Sequence, residues 1–233
     1  MTKTFRPMLT AFLALGLLAS PALAEKLPPT SPGGLVLQPH TKMSAVYLLP
    51  GYNIAKYDKY ALIDAFVEFK KGYMDEQNEE DPFSVSKQWM DQTTAALAVE
   101  FKKQFTRVMT ENGGFQQSAV TGPDVMILRP AIVNLDITAP DTMQPGVNSF
   151  AASAGSMTLY IEVIDSMSKK VIARIYDASS GDGSGEITWS SGVGNEQAAD
   201  YAIDQWAHLI RDALQHAREA AGESPDGPGP AAK

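Results

Sequence analysis

Cysteine is missing from this 233-residue chain, which excludes disulfides, thiol catalysis and lipidation of an N-terminal cysteine. A hydrophobic core must therefore stabilise the fold unaided. Histidine is scarce, with only His40, His208 and His216. The last two stand eight apart in one helical segment, too far to chelate one metal as an i, i+4 pair does. Basic residues are also in short supply: 19 Lys and Arg face 27 Asp and Glu, a formal net charge of −8. Such a chain is a poor ligand for nucleic-acid phosphates or anionic lipid surfaces. Beyond residue 24, no run is long and apolar enough to span a bilayer.

What is present begins with an export signal. Lys3 and Arg6 lie near the start, an apolar run follows from Met8 to Leu18, and Ala22-Leu23-Ala24 precedes Glu25. This pattern predicts a secretory signal peptide over residues 1–24, cleaved after Ala24. The apolar run is shorter than the ~20 residues a membrane anchor needs. The expected localisation is periplasmic, with no lipidation and no transmembrane segment after cleavage. Cleavage removes Lys3 and Arg6 but no acid, so the mature chain is more acidic still. Residues 25–43, opening with EKLPPTSPGG, are expected as a flexible leader. A single α+β domain is expected over 44–220 and a disordered tail over 221–233.

The stretch Asp124–Ala139 organises the domain. Ala131, Val133, Leu135 and Ile137 alternate with Ile132, Asn134, Asp136 and Thr138, the period of a half-buried strand. Pro130 cannot donate to a ladder, so the strand is expected to bend or bulge at Arg129-Pro130 or to lie at a sheet edge there. Further strands are predicted at Ala45–Leu49, at Tyr60–Phe69 near the sheet centre, and at Phe115–Val120. A hairpin joins Met157–Ile164 to Val171–Tyr176, where Glu162 and Arg174 could meet as a surface pair. Ile187–Ser190 is a short edge strand. One helix runs from Val85 to Glu111, capped at Ser84 and ended by Asn112-Gly113-Gly114, with an apolar stripe of Trp89, Leu97, Phe101, Phe105 and Val108. A second follows Asn195, and its apolar face runs through Ile203, Trp206 and Ile210 to Ala213 and Ala217. The acid-rich Asp75–Asp81 run lacks calcium-loop spacing and is expected as a solvated loop. Pro140–Gly155 is a long loop without periodicity.

Catalytic signatures are weak. Gly183-Ser184-Gly185 is not followed by a helix pattern, so it does not fit a nucleophile elbow. Gly181, Gly183 and Gly185 lead into Glu186-Ile187-Thr188-Trp189, which is not the helix start of a phosphate-binding loop. No catalytic, cofactor or metal residues are assigned. Asp136, Asn134 and Arg129 must be paired if their face is covered, and an Arg129–carboxylate pair would be structural.

The pieces LRPAIVNLDITAPDTMQPG (Leu128–Gly146), AGSMTLYIEVIDS (Ala154–Ser166) and Trp189…Trp206 resemble a bacterial envelope family known only as domain of unknown function 3313. The resemblance extends from about Gly34 to about Ala217. Members are commonly predicted lipoproteins, whereas this chain lacks the lipidation cysteine. The resemblance implies no reaction, cofactor or catalytic residue. The element order is also similar to that of small auxiliary lipoproteins of envelope transport systems. The expected architecture is α+β, a mainly antiparallel sheet with two long helices packed on one face. The expected role is non-enzymatic: an envelope protein partner would dock on the polar sheet face or the Pro140–Gly155 loop. The alternative is a small-ligand or lipid carrier with a pocket lined by Trp89, Phe101, Phe105 and Trp206.

Overall fold

The computed structural model describes residues 27–80, 85–137, 155–180 and 192–222. In chain order its elements begin with strands β1 (Thr30–Ser31), β2 (Leu35–Leu37), β3 (Ala45–Leu48), β4 (Lys59–Leu62) and β5 (Phe66–Phe69). Helices α1 (Tyr73–Glu80) and α2 (Lys87–Thr110) follow. Then come strands β6 (Gln116–Gln117), β7 (Val125–Asp136), β8 (Ser156–Asp165) and β9 (Val171–Ser180), and helix α3 (Gly192–Ala220). The strands make one nine-stranded sheet in the order β1-β2-β3-β9-β8-β7-β4-β6, with β5 pairing β7 off this path. β4 and β5 run parallel to β7, and β4 also to β6; the other pairings are antiparallel. The expected α+β class thus holds in outline, as a mixed sheet with three helices.

β7 lies between β8 on one side and β4 and β5 on the other, and it carries no bulge at Pro130, which instead occupies the edge-like position expected as the alternative. Pro130 pairs in register with Ile161 of β8. Ile63 donates to the Leu128 carbonyl, so Leu128 turns its backbone groups toward β4, and Pro130, two residues on, turns its nitrogen the same way. On that side β4 ends opposite Leu128 and β5 begins opposite Ala131. The missing N–H therefore faces the break between two short strands. The proline is tolerated because its neighbour is interrupted, which is why Tyr60–Phe69 is not one central strand.

The irregularity in β7 comes later, at Asn134, whose φ is 54° and where the pairing with β8 shifts register. A left-handed residue in a strand turns the alternation over. Leu135 and Ile137 consequently join Ile132 on the buried side, while Ala131 and Val133 stay on the opposite side. The unbroken alternation expected from Ala131 to Thr138 is corrected accordingly.

α2 starts at Ser86, whose hydroxyl accepts from the Trp89 N–H at 3.2 Å; Ser84 lies outside the described residues. It ends as expected, where Asn112 (φ 53°) and Gly113 (φ 72°) adopt left-handed backbone. Phe101, Phe105, Val108 and Met109 of α2 share one hydrophobic cluster with Ile203, Trp206 and Ile210 of α3. Leu128 and Ile132 of β7, Leu159 and Ile161 of β8, and Ala173 of β9 complete it. α2 and α3 pack against each other, tied by Arg107 to Asp204 and by Arg211 to Glu111 at 2.9 Å.

Two local expectations are overturned. The acidic run is helical as far as Glu80, Asp81 lying outside the described residues: α1 begins after Gly72 (φ 81°), with Asp75 and Glu76 in its first turn, where the helix dipole favours them. Buried Tyr73 anchors it, its hydroxyl donating to the Ile137 carbonyl at 2.9 Å. Part of the expected leader forms strands instead: β1 and β2 extend the sheet beyond β3. Leu35 and Tyr47 form a second small core there. The signal segment, residues 138–154, the Gly181–Gly185 run, Ile187–Ser190 and the tail beyond Gly222 lie outside the described residues.

Candidate functional site on the outer sheet face

The sheet face turned away from α2 and α3 carries three adjacent rows of side chains, fixed by strand register. The central row is Arg129–Glu162–Arg174–Tyr47, across β7, β8, β9 and β3. Along one flank runs Phe66–Ala131–Tyr160–Tyr176–Ala45. Along the other runs Ala61–Ile127–Ile164–Val171. A charged row thus lies between an aromatic row and an aliphatic one.

Glu162 is the hinge of the arrangement. It is 6% exposed and accepts from Tyr160 Oη at 2.6 Å, from Arg174 Nε at 2.9 Å and from Arg129 Nη2. Burial alone would raise its pKa, but hydrogen bonds from Tyr160, Arg129 and Arg174 outweigh it and hold the carboxyl down at about 2. The Tyr160 hydroxyl is pushed the other way, first by burial and then by its bond to Glu162. The Glu162–Arg174 pair is therefore not the surface feature expected from the hairpin alone. It is roofed by the β1–β2 hairpin: Arg174 Nη1 donates to Ser31 Oγ at 3.1 Å and to the Pro32 carbonyl, and Tyr47 Oη to the Pro28 carbonyl at 3.0 Å.

The roof covers only half the face. At the β7–β5 end the Arg129 side chain is 54% exposed and Phe66 58% exposed. Ile63, in the break between β4 and β5, is exposed as well. Sequence reasoning singled out Arg129, Glu162 and Arg174 but not the tyrosines or the roof. The alternation of β8 and β9 could have placed Tyr160 and Tyr176 beside Glu162, whereas the hairpin contact is long-range.

The opposite face contains a different carboxylate. Asp165, at the end of β8, accepts from Tyr57 Oη at 2.7 Å, Lys56 Nζ at 3.0 Å and the Ser168 N–H at 2.6 Å. Burial would raise its pKa, yet these donors drive it well below the usual carboxylate range. With its oxygens saturated by fixed donors, Asp165 is a structural latch. Asp136 is held by Lys70 at 2.8 Å. Among the described residues no group of three or more His, Asp or Glu could hold a metal ion, and no helix is long and apolar enough to cross a membrane.

The side chains expected to line a pocket between helices and sheet belong to, or in the case of Trp89 pack against, the main hydrophobic cluster. Phe101 and Phe105 are fully buried, and Trp206 nearly so. Trp206 Nε1 donates to Asp177 Oδ2 at 2.8 Å, pinning α3 to β9. A cleft of about 420 Å³ lies further along α3, between its C-terminal half and β3 and β9. The 38–43 segment closes one side of it. His40 and His216, which the sequence placed in unrelated segments, both line this cleft.

Solved structures overlap this fold loosely. PelC of Paraburkholderia phytofirmans, a dodecamer, is 12% identical over 71% of this chain and 95% of its own, with a TM-score of 0.38. A minor lipoprotein from Acinetobacter baumannii is 14% identical over 70% and 95%, at 0.34. A DUF4136 family protein from Bacteroides thetaiotaomicron is 12% identical over 77% and 96%, at 0.33. Overlap at that level fixes neither a function nor an assembly state. A comparison with curated proteins finds no match. The family model described as "Protein of unknown function (DUF3313)" matches residues 35–210, from β2 into α3, and the chain belongs to that family.

Proposed function

We propose that the protein is a non-enzymatic periplasmic component of the bacterial envelope that docks a protein partner on the open half of its outer sheet face. The observation that carries this reading is the pair Phe66 and Arg129, both more than half exposed in adjacent rows of one rigid face. An exposed aromatic ring beside an arginine is the composition that dominates binding energy at protein interfaces. Arg129 is pre-ordered by Glu162, so little side-chain entropy is lost when a partner carboxylate meets it. The row of two guanidiniums and one carboxylate carries a surplus positive charge on an otherwise acidic chain. The partner segment is therefore acidic and flanked by apolar side chains that cover Phe66 and Ile63.

The test is photo-cross-linking in intact cells, with a photoreactive residue at Phe66 and, as control, at Val99 on the solvent side of α2. A discrete adduct from position 66 that disappears with Arg129→Glu supports the reading. No adduct, or the same adducts from both positions, overturns it.

A second reading is favoured by the cleft beside α3. Its volume falls within the range of small-ligand sites, roughly 300–1,000 Å³. In this reading the protein carries a small amphiphile, in a place other than the Phe101–Trp206 interface.

A further inference from the structure

We infer that the cleft beside α3 binds a single aliphatic chain carrying one anionic head group. The inference rests on the carrier reading and specifies its ligand. The hollow exists because α3's apolar face outruns its cover. Ile203 and Trp206 are buried, Ile210 and Leu214 are buried and line the cleft, and Ala213 and Ala217 beside them line it with more of their surface open. Their small side chains, with Ala173 of β9 opposite, leave the space that larger residues would occupy.

The lining chemistry selects the ligand. The apolar wall is aliphatic, from Met43, Val46, Leu48, Ile54 and Leu209 among others, with no aromatic residue. The rings at the cleft are the imidazoles of His40 and His216, which belong to its polar side, whereas along the aliphatic wall a flexible methylene chain gains ~0.8 kcal/mol for each group buried. The polar groups come from the 38–43 segment and from one side of α3. Lys42, His40 and His216 are set against a single carboxylate, Asp212, which itself lies 3.5 Å from Arg211 Nη2. His216 Nδ1 donates to the Asp212 carbonyl at 2.7 Å, so the neutral ring presents Nε2 to the cleft as an acceptor, and Lys42 alone supplies fixed positive charge for an anionic head. The shared chemistry, an acyl chain with a carboxylate or phosphate head, fits both a free fatty acid and a single-chain phospholipid.

The experiment is titration calorimetry of the full-length mature protein with laurate, dodecyl phosphate, dodecanol and dodecyltrimethylammonium, each below its micelle concentration. Laurate and dodecyl phosphate are expected to bind about tenfold or more tighter than the other two, the difference one charge-assisted contact makes. Their relative affinity separates a fatty-acid from a phosphate-headed source. Lys42→Glu should remove the preference for anions and leave dodecanol unaffected. Ala217→Trp, at the partly exposed end of α3, should block all four while the thermal unfolding midpoint is unchanged. Equal binding of dodecanol and laurate overturns the head-group assignment and leaves the carrier reading standing. No binding of any of the four to folded wild-type protein overturns both.

Discussion

Replacing Glu162 by Gln probes the outer-face network directly. The carboxylate is nearly inaccessible and accepts from two guanidiniums and one hydroxyl. The neutral amide keeps the shape and removes the charge, leaving Arg174 unpaired beneath the β1–β2 roof. Arg129 is half exposed and can recover water, so its share of the loss is small. A drop in the carboxyl pKa from 4.5 to about 2 corresponds to about 3 kcal/mol of stability at neutral pH. Because the folded value lies below the unfolded one, that contribution is complete above the unfolded pKa. It drains away as pH falls from there through about 2. Urea unfolding followed by tryptophan fluorescence should therefore show Glu162→Gln destabilised by about 3 kcal/mol at pH 7 and by only about 1 kcal/mol at pH 3. A gap that stays constant between those pH values would mean that Glu162 is not held ionised by its neighbours, and the reasoning fails.

Other substitutions test other joints of the fold. Phe105→Ala should cost about 3–5 kcal/mol in the same assay, because the ring is fully buried between α2 and the sheet; a cost under 1 kcal/mol would mean that this interface is not packed. Trp206→Phe deletes the donor to Asp177 and should cost about 2–3 kcal/mol. Ser44, which also donates to Asp177 at 2.7 Å, should remain in place in a crystal structure of the variant. At Asn134, with φ 54°, glycine should be neutral to within about 1 kcal/mol, whereas valine should destabilise by about 1–2 kcal/mol. Equal effects would remove the left-handed bulge from the account.

The sequence is readable where each residue's fate is set by its near neighbours. The helical stripe from Trp89 to Val108, the Asn112-Gly113 stop and the β8–β9 hairpin each follow from local periodicity, and Glu162 duly pairs with Arg174. The misreadings arise where distant segments decide. Pro130 looked like a flaw in its own strand because nothing local shows that β4 and β5 break beside it. Asn134 looked like a polar position in a regular alternation, and its left-handed backbone turns over everything after it. The acidic run looked like a loop because its anchor, the Tyr73 hydroxyl on the Ile137 carbonyl, spans 64 residues. The outer-face row was visible as separate residues, not as a roofed and half-open network. The meeting of His40 with His216 at one cleft could be found only in three dimensions.

The absence of native cysteine makes one measurement especially direct. Single variants Ile63→Cys, which leaves the Phe66 ring in place, and Val99→Cys can be labelled with a small water-soluble maleimide, both in purified protein and in intact cells. If the open half of the sheet face docks a partner, Ile63→Cys reacts rapidly when purified and several-fold more slowly in cells, while Val99→Cys reacts at the same rate in both. If Ile63→Cys is labelled as fast in cells as in isolation, nothing covers that face and the proposed docking role is wrong.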